Sequence, residues 1–327
     1  MKKIYIFFIV FTCAFVTKGY SQDIVYSQFY NAPNYLNPAL NGQFDADLRV
    51  NMIVKSQWNG EANLSSYTFS ADLSLPKLNG GLGLMMTKSN EGNANQSKTN
   101  FSGIYSYSVS SGNTTLYFGL QAGISKRSID YSRLIFQNQL DAELGIVQGN
   151  SMADVNNGYY FDTGAGINLV KGNFMMGVSA QHLNKPNQSL INAQDLLPVR
   201  FNTNLSYQIL MEDAQLIPSV VYYKQADIHS HNIGMQYKKG GMNLGLWLRG
   251  SDLKTNALVA SVIFDIFTHR QHNKLRLGIS RDTGVTSDKN RAAFNSTEAA
   301  LNYELSFRGS TQNNESGAYG GKCYNFY

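Results

Sequence analysis

Cysteine is scarce in this chain, with Cys13 and Cys323 the two present in 327 residues. A chain this long with so few thiols is not a disulfide scaffold, and it has no Cys/His cluster for a structural metal. Charge is scarce too: Asp, Glu, Lys and Arg make up 15% of the residues, against about 25% in ordinary soluble domains. Beyond the first residues, no apolar run approaches the ~20 residues of a spanning helix. Catalytic signatures are absent as well. There is no G-x-S-x-G, no H-E-x-x-H and no phosphate-binding glycine loop opening a helix, so neither an enzyme nor a cofactor is read here.

The N-terminus reads as a secretory signal over residues 1–21. Lys2 and Lys3 precede the apolar run Ile4 to Val16, and Gly19-Tyr20-Ser21 puts small residues at the cleavage positions. Cutting there removes Lys2, Lys3 and Lys18, which lowers the 27 basic residues to 24 against 22 acidic ones. The pI near 9.0 therefore owes much to the signal, and a nucleic-acid partner loses its main support. Cys323 becomes the sole cysteine of the mature chain. What remains is rich in Gly (29), Tyr (20) and Phe (18) with six prolines, a composition that fits an all-β chain of the outer-membrane barrel class.

Period-two alternation is the signal that tests this expectation. In "YTFSADLSL", Tyr67, Phe69, Ala71, Leu73 and Leu75 share one face while Thr68, Ser70, Asp72 and Ser74 share the other. "LYFGLQAGIS" (116–125) and "AALNYELSF" (299–307) repeat the pattern. About fourteen such segments are read, at 45–59, 63–75, 80–89, 98–110, 113–127, 157–170, 172–184, 197–210, 214–224, 230–239, 241–250, 254–265, 273–281 and 297–307. Short turns and longer polar loops alternate between them, as in a transmembrane antiparallel β-barrel with both termini in the periplasm. A soluble sandwich or solenoid shares the alternation. The strand number favours the barrel, as do aromatics near strand ends: Trp58, Tyr105, Tyr107, Tyr159, Tyr160, Tyr222, Tyr223 and Tyr237. The expected organisation is signal 1–21, leader 22–44, barrel 45–307 and periplasmic tail 308–327.

The leader contains "QFYNAPNYLNPALNG", an uncharged stretch broken by Pro33 and Pro38. The prolines favour compact turns over strand, and the amides and phenols can both donate and accept hydrogen bonds. A plug in a polar lumen is expected, carried by Gln28, Phe29, Tyr30, Pro33, Leu36, Asn37 and Pro38. A loose leader is the alternative.

"YSQFYNAPNYLNPALNG" also resembles the N-terminal signature of the PorP/SprF family, outer-membrane proteins of the type IX secretion system in Bacteroidetes. Further similar elements follow in order: Lys55-Ser56-Gln57-Trp58, "YTFSADL", "GVSAQHLNKP" (177–186), "LPVRF" (197–201) and "PSVVYY" (218–223). The resemblance covers essentially the whole mature chain. It implies a non-enzymatic barrel that supports secretion and surface anchoring of large proteins with type B C-terminal sorting domains, adhesins of gliding bacteria among them. Its implied partners are that sorting domain, other type IX components and the lipid bilayer. A gated or open porin for small solutes is the alternative function.

Three further features stand out. His229-Ser230-His231 puts two imidazoles on one face, but no acidic or cysteine partner sits at metal-ligand spacing. The longest loop, 130–158, carries Phe136, Leu140 and Ile146; with His182 and Asn184 of "HLNKP" it is read either as partner-binding or as a cap on the barrel. The tail ends in Tyr319, Cys323, Tyr324, Phe326 and Tyr327, an aromatic cluster suited to docking on a periplasmic component or on the mouth of the same barrel.

Overall fold

The computed structural model describes residues 23–57, 63–92, 96–130, 140–141, 145–146, 157–190, 194–251, 254–268, 273–285, 294–307 and 326. The signal, Trp58 and most of loop 130–158 lie outside the described residues, as does the tail apart from Phe326. No helix is long and apolar enough to cross a membrane.

Fourteen long strands follow the expected segments one for one. They are β1 (Leu48–Gln57), β2 (Leu64–Leu75), β3 (Gly80–Glu91), β4 (Gln96–Ser111), β5 (Thr114–Ser128), β6 (Gly158–Lys171), β7 (Phe174–Gln181) and β8 (Arg200–Tyr207). Then come β9 (Gln215–Gln225), β10 (Ile228–Lys239), β11 (Met242–Ser251), β12 (Lys254–Thr268), β13 (Asn273–Gly284) and β14 (Ser296–Leu305). Each pairs antiparallel with its sequence neighbours. β1 also pairs with β14 from Leu48↔Leu305 to Gln57↔Ser296, which closes the barrel. Closure leaves no unpaired edge among these strands, the condition for a sheet to cross lipid.

Burial alternates along every strand, but with the opposite sense to a soluble core. Phe69, Leu84, Phe101, Leu120, Phe161 and Ile279 are exposed on the outside, whereas Ser70, Asn100, Ser106, Asn202, Asn232 and Asn302 are buried inside. Apolar side chains on the rim of a polar interior suit a hydrocarbon solvent outside.

Both ends of the β1–β14 region lie at one end of the barrel with the tight turns. Gly112 and Gly172, with φ of 57° and 56°, make two of those turns in a conformation that a side chain would strain. The opposite strand ends, among them Gln57, Glu91, Gln181 and Gly284, lie at the other end, with the described stretches 182–190 and 194–199.

Two expectations need correction. Tyr105, Tyr107, Tyr159 and Tyr222 are exposed, but Tyr160 and Tyr223 are buried; adjacent residues of a strand face opposite sides, so neither pair can join a girdle together. β7 stops at Gln181 rather than 184 because His182 takes φ of 59°, outside the strand region.

Candidate functional site: the leader and its cradle

The leader does not leave the barrel. From Tyr26 to Gly42 nearly every residue is buried, and the inward side chains of the strands hold it. Pro33 opens a single helical turn, Pro33–Leu36, and Pro38 opens a second, Pro38–Leu40, each ring occupying the helix position where a missing N–H costs nothing. A further turn spans Phe29–Asn31. Asn37 caps the last of these, its Oδ1 accepting Ala39 N at 2.9 Å.

Turns this short leave most backbone groups unpaired, and buried ones need partners. The strands supply them. Glu298 accepts Ser27 N at 2.8 Å and Gln28 N at 2.9 Å while Lys55 pairs with it at 2.9 Å. Lys55 Nζ also donates to Val25 O at 2.6 Å. Ser179 Oγ and Asn202 Nδ2 donate to Leu36 O at 2.8 and 3.0 Å, and Gln181 Nε2 donates to Tyr35 O at 3.0 Å. Ser106 Oγ donates to Asn41 O at 2.6 Å, and Gly42 N donates to Asp72, itself gripped by Arg49 through two bonds of 2.7 and 3.1 Å.

The apolar side chains of the leader build a core together with inward apolar side chains of the strands. Phe29, Tyr30, Leu36, Ala39 and Leu40 belong to one buried cluster with Tyr117, Met175, Ile217, Val221, Trp247 and Ile263. The rings of Phe29 and Tyr30 meet Trp247 at centroid distances of 5.0 and 5.9 Å, in edge and stacked arrangements. Space is cut for the leader: a Cβ on Gly119 would collide with the backbone of Pro38 and Ala39, and one on Gly83 with the Asn41 amide. Phe326 is buried in the same cluster, so the described part of the aromatic tail meets this chain's own core. Tyr319, Cys323, Tyr324 and Tyr327 lie outside the described residues.

At the long-loop end the leader is held by charge. Asp23 Oδ2 lies 2.6 Å from His182 Nε2, its Oδ1 accepts Lys98 Nζ at 2.7 Å, and Gln225 bonds both its carboxylate and its amide. The other imidazole nitrogen, Nδ1, lies 2.8 Å from Asp162. Two carboxylates on two ring nitrogens suit the imidazolium, in which both nitrogens donate. Burial opposes the charge on His182, but Asp23 and Asp162 outweigh it and its pKa lies above the ordinary imidazole value. Burial likewise opposes ionisation of Asp23, yet Lys98 and His182 hold it well below the usual carboxylate range.

Every residue expected in the leader is buried here: Gln28, Phe29, Tyr30, Pro33, Leu36, Asn37 and Pro38. His182 is also buried and faces the leader. Asn184 is exposed and orders the same loop, accepting Thr163 N at 3.2 Å and donating to Phe161 O at 2.7 Å. The side chains of Phe136, Leu140 and Ile146 lie outside the described residues, although a two-residue ladder joins Leu140–Asp141 to Gly145–Ile146. His229 Nδ1 is engaged by Tyr222 OH at 2.6 Å. Among the described residues no group of three or more metal-ligating side chains gathers.

Sequence reasoning missed the barrel side of the site, notably Glu298, Arg49, Asp72 and Arg200. A usable signal existed. Lys55, Asp72, Gln181, His182 and Arg200 all fall in the family-like elements, and all sit on the polar face of their strands or just beyond a strand end.

Solved structures with a similar trace include a deletion mutant of the TodX monoaromatic hydrocarbon channel, with 13% identity over 85% of this chain and 94% of that one, TM-score 0.49. Another is Omp33 of Acinetobacter baumannii, with 8% identity over 80% of this chain and 98% of that one, TM-score 0.42. No curated protein matches the sequence. The PorP/SprF profile, described as a type IX secretion system membrane protein, matches residues 18–303, the span that carries the leader, its cradle and nearly all of the barrel. The chain belongs to the PorP/SprF family of type IX secretion system membrane proteins.

Proposed function

We propose that this barrel is a closed, non-enzymatic outer-membrane anchor that supports the secretion and surface attachment of large proteins bearing a type B C-terminal sorting domain, gliding adhesins among them. The leader is its plug, running from Asp23 at the long-loop end to Gly42 at the tight-turn end, and that tight-turn end, where β1 begins and β14 stops, faces the periplasm. The long loops face outward, where Asn184 and the apolar residues Phe136, Leu140 and Ile146 of loop 130–158 meet the exported protein. The aromatic tail docks within the same barrel, where Phe326 joins the leader's apolar cluster.

The observation that supports this reading best is the leader itself. A solute channel gains nothing from filling its lumen with residues bonded at Glu298, Ser179, Asn202 and Asp72, whereas a surface anchor needs a barrel that does not leak. The direct test is deletion of the chain in its host. Surface display of type B substrates should be lost and should return with a wild-type copy; normal display in the deletion strain contradicts the reading.

One observation favours a gated porin instead. Several inward amide atoms have no protein partner, including Asn204 Nδ2, Gln236 Nε2 and Asn243 Oδ1, so the wall behind the leader has the polar lining of a pore. Under that reading solute uptake, not surface display, fails on deletion.

A further inference from the structure

At the long-loop end the leader forms the floor of a small open cleft lined by polar and apolar surface in similar measure. Asp23, Ile24 and Tyr35 make that floor, and the walls carry Gln96, Asn100, Gln121, Gln181 and Gln188 between charged residues. Most of the cations there are matched. Lys98 has Asp23 at 2.7 Å, His182 has Asp23 and Asp162, and Arg127 has Asp195 at 2.9 Å.

Arg200 is different. Its Nε donates to Asn202 Oδ1 at 3.0 Å and its Nη1 to Tyr35 OH at 2.6 Å, with the guanidinium 4.8 and 5.1 Å from the Tyr35 and Tyr223 ring centres. Its Nη2 is buried and has no partner, and the side chain is 2% exposed. Among the described residues it has no ion pair. Asp23 in the cleft floor acts on it electrostatically, but the buried Nη2 donor is still costly unless something supplies an acceptor. Gln121 Oε1, also in the cleft wall, is a buried acceptor without a partner.

We propose that this cleft binds the free carboxylate of an extended peptide entering from the long-loop end, with Arg200 as the anion contact. Amides that donate and accept in turn match a peptide backbone, while a guanidinium recognises a carboxylate better than an ammonium does. The assignment deepens the secretion reading and rests on it, because it takes the long loops to face the exported protein. The bound carboxylate would also touch Tyr35, so occupancy and seating of the leader are linked.

The full-length protein in nanodiscs tests this with a short fluorescent glycine–serine peptide, as the free acid and as the C-terminal amide. The free acid should bind about tenfold more tightly or better, the worth of one charge-assisted hydrogen bond. Arg200→Gln should erase that difference and Arg200→Lys should keep part of it, with heat-modifiable gel mobility showing that each barrel is assembled. Equal binding of the two peptides by the wild type overturns the proposal without any variant. So does a preference that survives Arg200→Gln. Displacement of the peptide by inorganic phosphate or acetate as readily as by unlabelled free-acid peptide assigns the cleft to small anions and overturns the peptide class. The secretion role fails separately, by normal surface display in the deletion strain.

Discussion

His182 Nε2 lies 2.6 Å from Asp23 Oδ2, joining the start of the described leader to the first residue beyond β7. The contact holds while the imidazole is charged and the carboxylate is ionised. His182 has a raised pKa, so its contribution is complete below the ordinary value of about 6.5 and is lost as pH rises through the higher folded value. Asp23 has a lowered pKa, so its contribution is present above about 3.9 and is lost as pH falls through the lower folded value. The protection of the amides around Asp23–Tyr26, taken relative to the intrinsic base-catalysed exchange rate at each pH, should therefore be greatest in mildly acidic to neutral solution and smaller at alkaline pH. His182→Gln should flatten the alkaline limb; an unchanged limb would contradict this latch.

Glu298 neutralises Lys55 and takes two leader amides at once. Glu298→Gln leaves a buried ammonium without its counter-ion, a loss of about 3–5 kcal/mol by analogy with broken buried pairs. Limited proteolysis should then cut the leader while the barrel stays intact. Adding Lys55→Met should restore part of the protection. Resistance equal to wild type in Glu298→Gln would remove this pair from the account.

Gly119→Leu puts a side chain where the backbone of Pro38 and Ala39 passes. The outward face of β5 is untouched, so the barrel should assemble and the clash, worth about 1–3 kcal/mol or more, should fall on the leader. Cysteine reactivity introduced at Ala39 reports it: protected in the otherwise wild-type protein, labelled in the Gly119→Leu background. Protection in both would show that the approach is not close.

Phe326 is 1% exposed within the cluster that holds Trp247. Phe326→Ala should cost about 3–5 kcal/mol as a buried Phe truncation and should red-shift the emission of Trp247 in a Trp58→Phe background. An unshifted spectrum would place the tail outside the lumen.

Much of this architecture was legible beforehand. The alternation in "YTFSADLSL" and "LYFGLQAGIS" is a direct consequence of a wall with lipid on one side and polar contacts on the other, so strand positions could be read. Strand ends could not, because a single backbone choice such as the positive φ of His182 decides them. Gln28, Tyr30, Asn37 and their neighbours announced a compact polar segment by composition. Their partners did not announce themselves: Glu298 lies 270 residues from Gln28, and only closure of β1 onto β14 brings it to the leader. Arg200 was visible in "LPVRF", but the Tyr35 hydroxyl that engages its Nη1 lies 165 residues away in the chain, which no local pattern reveals.

The central claim is that the leader fills and closes the lumen. Single-channel conductance in planar bilayers tests it most directly, comparing the wild-type protein with a variant lacking residues 28–42, each first shown to be an assembled barrel by its heat-modifiable mobility. The wild type should be nearly silent and the deletion should conduct steadily through the amide-lined lumen. Equal conductance of the two assembled barrels would contradict the account.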